Sequence, residues 1–135
     1  MTEVEIFAAL TNSMIASGLF VATATFLLWV AFRGVLRIQD QGASTLQKVF
    51  STLFSLGIVY LNLFQWSFVQ GNWQTAASSL SELGEISSRG QRIIDFAGGT
   101  EVNPSLIPAD PIFAVWWLVV IIMLMAGIWM KPQNS

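Results

Sequence analysis

Apolar and polar positions in this chain fall into long blocks, and three of the apolar blocks carry no charge. The clearest is Ile112–Met130, nineteen uncharged and almost wholly apolar residues. As a helix it would reach close to the ~30 Å of a bilayer's hydrocarbon core. Its ends are marked: Asp110 can cap the first turn, Pro111 suits the first helical position, and Pro132 stops the helix after Lys131. Ile6–Phe32 is uncharged for 27 residues, about 40 Å as helix and longer than one crossing. The expected span is residues 14–32, with the turns through Thr11-Asn12-Ser13 emerging from the hydrocarbon or the helix tilting. Val49–Val69 supplies the third block, 21 uncharged residues closed by Gln70-Gly71-Asn72. Between the first two spans, Arg33 to Lys48 reads as a short polar link.

The remaining polar stretch, residues 70–111, has a different period. Ser79-Leu80-Ser81-Glu82 has the form of a capping box. After it Leu80, Leu83, Ile86, Gly90, Ile93 and Ile94 recur at helical spacing, and Gly98-Gly99 can end the helix. The pattern predicts an amphipathic helix over about residues 80–97. Its Leu80, Leu83, Ile86, Ile93 and Ile94 face would lie on the membrane surface or against a partner. Early Glu82 and Glu85 and later Arg89 and Arg92 suit the helix dipole and allow a Glu85–Arg89 pair. Pro104, Pro108 and Pro111 predict an extended return to the third span. The fold class expected is therefore an all-α integral membrane protein: one domain, three transmembrane helices and an interfacial helix in the outer loop between the second and third.

Composition agrees with this and adds an orientation. Charged residues are 10% of the chain against roughly 25% in soluble domains. With spans at 14–32, 49–69 and 112–130, Arg33, Arg37, Lys48 and Lys131 share one side. Arg89 and Arg92 share the other with Glu3, Glu5, Glu82, Glu85, Asp95, Glu101 and Asp110. The positive-inside rule then gives an outside N-terminus and a cytoplasmic C-terminus in a bacterial-type inner membrane. Trp29, Trp66, Trp73, Trp116, Trp117 and Trp129 all fall near expected interfaces, as an anchoring belt requires. The acidic start Met1–Glu5, without Lys or Arg, is unlike a secretory signal peptide.

Chemistry is constrained mainly by what is missing. The chain has no Cys and no His, which removes thiolate chemistry and the commonest metal ligand and general base. No Asp, Glu, Lys or Arg lies in a span, against a proton- or ion-driven pump. No Gly-x-Ser-x-Gly, Ser-x-x-Lys or phosphate-binding Gly-rich motif is present, so no catalytic or metal site is expected. A net charge of −2 with no basic cluster gives no reason to expect nucleic acid.

What remains is surface. Ser13 and Ser17, with Gly18 and Ala22, recur at the four-residue spacing that lets helices approach closely in a membrane. Asn62 and Gln65 share a face and need partners there. In the third span Phe113, Trp117, Val120, Leu124 and Gly127 form one face, and Ala126-Gly127 is its strongest place for close helix contact. The expected role is a non-catalytic accessory, scaffold or assembly subunit of a larger inner-membrane complex, its partners being other membrane subunits and lipid. No cofactor is required, though lipid, quinone or carotenoid contact is compatible with such faces. The competing reading is a small homo-oligomeric pore, lined by Ser13, Ser17, Asn62 and Gln65.

Overall fold

A computed structural model describes residues 1–130; Lys131 and Pro132, assigned above to the inner basic side and to the stop of the third span, lie outside the described residues. The described residues form four helices and no strand: α1 (Glu3–Gln41), α2 (Thr45–Ser81), α3 (Ser88–Ala97) and α4 (Pro111–Trp129). Three of them, α1, α2 and α4, are long and apolar enough to cross a membrane.

The first two helices are much longer than the uncharged blocks inside them. At ~1.5 Å per residue, the 39 residues of α1 extend about 58 Å and the 37 of α2 about 56 Å. The link expected over Arg33–Lys48 shrinks to residues 42–44. Charge ends a hydrocarbon segment but does not end a helix. The buried ridge Ala24, Leu28, Ala31, Val35 keeps its three-to-four-residue spacing past Arg33. The reversal is set by local signals instead. Gly42 takes φ 75° with its N–H on the Ile38 carbonyl at 2.8 Å. Ser44 and Gln47 then cap α2 reciprocally, at 2.9 and 3.3 Å. Thr2 and Glu5 do the same for α1, at 2.9 and 3.2 Å. At α4, Asp110 accepts from the Ile112 N–H at 2.9 Å with Pro111 at the first position.

The outer-loop helix expected over 80–97 is two pieces. α2 continues to Ser81 because Leu80 is fully buried and extends that helix's Ala76, Ala77 ridge. Gly84 then takes φ 79°, a conformation that breaks a helix and suits glycine. α3 starts only after Ser87, its N-cap, which accepts from the Gly90 N–H. Gly98, at φ 83°, ends it.

The described residues form two compact units, Met1–Val21 with Phe64–Leu106, and Ala22–Leu63 with residues 107–130. In the first, Ile6 and Leu10 of α1 pack on Ala76 and Leu80 of α2, and Leu83, Ile86, Ile93 and Ile94 close over them. In the second, Leu28, Ala31 and Val35 of α1, Ile58 and Val59 of α2, and Trp117, Val120, Leu124 and Ile128 of α4 form a three-helix core. Gly127 of α4 faces the Val35 side chain of α1, leaving no room for a Cβ there.

Candidate functional site

In the three-helix unit the main polar feature is Asn62, which is 2% exposed. Its Nδ2 donates to the Ala24 carbonyl of α1 at 3.0 Å and to the Ile58 carbonyl of its own helix at 2.9 Å. An amide in an apolar core needs such acceptors, and here both are backbone. Gln65, three residues on, is half-buried. Ser55, also on α2, is buried. Towards the end of α4, the Trp129 Nε1 donates to Thr52 Oγ1 at 2.9 Å, and Thr52 donates in turn to the Lys48 carbonyl at 2.8 Å. The Lys48 ammonium lies 5.9 Å from the Trp129 ring centre. Thr52 thus ties the last residue of α4 to the first turns of α2.

Trp117, read above as an interfacial anchor, is packed within the protein. It is 4% exposed, inside the core, in edge contact with Phe113 and Trp116, and its indole nitrogen is buried without a partner among the described residues. The reason is periodicity: Trp117 shares its helix face with Val120, Leu124 and Gly127, all buried, whereas Trp116 points away and is exposed. Trp29, Trp66 and Trp129 are exposed as well, and Trp73 is half-buried against Phe96, ring centres 4.8 Å apart. The α4 face expected to offer close helix contact is therefore occupied by α1 and α2 of the same chain. Gly127 is part of it, and Ala126 beside it is half-buried.

The other unit carries the loop, and side-chain amides order it. Asn72 donates to Ser17 Oγ at 3.2 Å. One turn apart on α2, Gln70 and Gln74 accept from the backbone N–H groups of Ser105 (3.2 Å) and Asn103 (2.9 Å). Two amides four residues apart match two N–H groups two residues apart on an extended chain. They hold that strap along the helix, and a Cβ added at Gly71 would lie 3.6 Å from the Pro104 ring. A second fastening joins the N-terminus to α3. The Glu3 carboxylate accepts from the Ser87 N–H and from its hydroxyl. A carboxylate at the start of a helix is favoured by its unpaired N–H groups. A Cβ on Gly90 would lie 2.6 Å from Glu3 Oε1, so glycine makes room for this contact. Arg89 leaves the expected Glu85 partnership and sits 4.8 Å from the Phe7 ring centre.

The small residues of α1 divide. Ser17 is buried and Ser13 half-buried. Ser13 lines a groove of about 140 Å³ with Ile6, Leu10, Asn72 and Ala76. Gly18 and Ala22 are exposed, and nothing lies within 4 Å of where a Gly18 side chain would start. The loop residues Leu80, Leu83, Ile86, Ile93 and Ile94 pack inward rather than forming an open contact face; Leu80 is 0% exposed. A larger groove of about 330 Å³ lies between Phe64, Phe68, Gly71 and Asn72 of α2 and Val102 and Pro104 of the strap.

Sequence reasoning missed the strap amides, the Glu3 clasp and the two N-terminal capping boxes. Only the boxes carried a readable signal, in Thr2-x-x-Glu5 and Ser44-x-x-Gln47. Among the described residues the buried polar side chains are Ser17, Ser55, Asn62 and Gln74, and no cluster of three or more metal-ligating side chains occurs. Both buried amides, Asn62 and Gln74, engage backbone groups. The chain matches no protein-family model, no curated protein and no solved structure.

Proposed function

We propose that this chain is a non-catalytic accessory or assembly subunit of a larger inner-membrane complex. It acts through the outward faces of its helices and through the ordered loop, with its N-terminus outside and its C-terminus cytoplasmic. The observation that carries the reading is how the interior amides are used. Asn62 binds the Ala24 and Ile58 carbonyls, and Gln74 binds the Asn103 N–H. Polar groups committed to the backbone brace a fold, and they leave little to activate a substrate or wet a conduction path. Meanwhile Leu19, Phe20, Phe26, Leu53, Phe54 and Phe68 remain exposed along α1 and α2, an apolar surface suited to lipid or to neighbouring helices.

The test is what accompanies the chain when membranes are dissolved in a mild detergent. A defined set of membrane subunits that comes with it, and a complex that falls apart on its deletion, is the expected result. A lone monomer whose deletion alters no complex would refute the role. Sustained leakage from liposomes holding only the purified chain would instead establish the pore. Activity of a C-terminal reporter confined to the outer side would overturn the orientation.

A further inference from the structure

One side of the basic end of α1 presents Val30, Arg33, Gly34, Leu36, Arg37, Asp40 and Gln41 around an open, shallow cradle of about 540 Å³. We infer that it is a binding site for the headgroup of an anionic glycerophospholipid with one phosphate and a hydroxyl-bearing head, such as phosphatidylglycerol. The inference rests on reading α1 as a membrane crossing.

Four features converge. Arg33 and Arg37 are one helical turn apart on the same side, and among the described residues neither is paired with a carboxylate. Guanidinium groups bind phosphate oxygens through paired N–H donors and do so better than ammonium groups. Gly34 lies between them with nothing within 4 Å of its would-be Cβ, so the helix backbone itself forms the floor. Trp29, 55% exposed, stacks on Phe26 and lies 5.3 Å beneath the Arg33 guanidinium. That ring suits the headgroup depth and holds the cation over its face.

The rim selects the head. Asp40 brings the cradle to a net charge of +1, from two Arg and one Asp. A lipid of net charge −1 balances this, with its phosphate on the arginines and its head hydroxyls donating to Asp40 or meeting the Gln41 amide. Val30 and Leu36 offer apolar surface to the glycerol and the first acyl carbons. A zwitterionic choline lipid lacks both the net charge and the hydroxyl donors.

The full-length chain would be reconstituted in nanodiscs, and retained lipid counted by native mass spectrometry after release from phosphatidylglycerol, phosphatidylcholine or mixed bilayers. Phosphatidylglycerol should be retained selectively. Arg33→Gln and Arg37→Gln should each weaken retention about fivefold and together roughly thirtyfold. Gly34→Leu, which keeps both charges but fills the floor, should also abolish selectivity, while Lys48→Gln should leave it intact. Equal retention of both lipids, or full selectivity in the double Arg variant, overturns the site. Full selectivity in Gly34→Leu reduces it to diffuse charge attraction and overturns it as well. Thermal stabilisation by inorganic phosphate equal to that by the lipid would assign the cradle to a free anion and refute the lipid. Failure of the chain to enter bilayers at all would refute the membrane reading instead, a result distinct from insertion without lipid preference.

Discussion

The contact between Gly127 and Val35 is the sharpest test of the three-helix core. A methyl group added at Gly127 would collide with Cγ1 of Val35, with Gln39 Nε2 a further neighbour at 3.5 Å. Val35 is 6% exposed and, as a β-branched residue in a helix, has one strongly preferred rotamer, so it cannot swing aside. Overpacking of this kind costs about 1–3 kcal/mol, and a head-on collision with a fixed side chain belongs in the upper half of that range. Against it stands the ordinary gain of Gly→Ala within a helix, up to ~1 kcal/mol. Gly127→Ala should therefore destabilise the bundle by about 1–2 kcal/mol, the difference of the two. In a Val35→Ala background the obstacle is gone and only the helix gain remains, so the same substitution should become neutral or stabilising. Unfolding in mixed micelles by titrated denaturing detergent, followed by far-ultraviolet circular dichroism, measures all four corners of the cycle. A Gly127→Ala cost that is absent in the native background, or undiminished in the Val35→Ala background, would refute this packing.

Asn62→Leu should cost about 0.6–1.7 kcal/mol in the same assay, the range for interhelical polar contacts in membranes, because it removes the bond to the Ala24 carbonyl. Glu3→Ala should free the start of α3, seen as faster amide hydrogen exchange at Ser87–Ala97. Gly90→Ala should produce the same change while Glu3 is present and a smaller one in Glu3→Ala, since its obstacle is that carboxylate. Replacing Gln70 and Gln74 together by Ala should open residues 101–106 to limited proteolysis, with helical content almost unchanged.

The bounds of α4 were readable to within a residue, because one stretch holds a capping Asp, a Pro and an uninterrupted apolar run. Those of α1 and α2 are not, because a charge ends an apolar block without ending a helix. Arg33 and Arg37 end an apolar block, yet Val35 and Ile38 keep the buried stripe running between and beyond them. The Ser79–Glu82 box misled for a related reason. A local cap competed with the burial of Leu80, and tertiary packing won. Trp116 and Trp117 show how one residue of phase decides between an exposed and a buried ring, and the apolar face of the third span already carries that phase. Asn62 was legible as an amide needing a partner. That the partner is the backbone of Ala24 was not, because a carbonyl leaves no trace in side-chain pattern. The strap is opaque for the same reason, since Gln70 and Gln74 hold main-chain groups.

Glycines of opposite exposure separate folding from assembly. Gly127 is buried against Val35, so enlarging it should act on the fold of the chain alone. Gly18 is exposed in α1, with nothing within 4 Å of its would-be Cβ and Ala22 exposed one turn further on. A chain that served only itself would lose nothing by carrying a larger residue there, and the helix would gain from it. If the proposed subunit role is right, that small-residue face is where a neighbouring helix fits closely. Gly18→Leu should then leave the unfolding midpoint of the isolated chain unchanged or raised, while partner subunits are lost from the detergent-solubilised complex. Gly127→Ala should do the reverse, lowering the midpoint before any partner is lost. An intact complex with Gly18→Leu would mean that this face meets lipid, and the contact with other subunits would have to be sought along α2 or on the ordered loop.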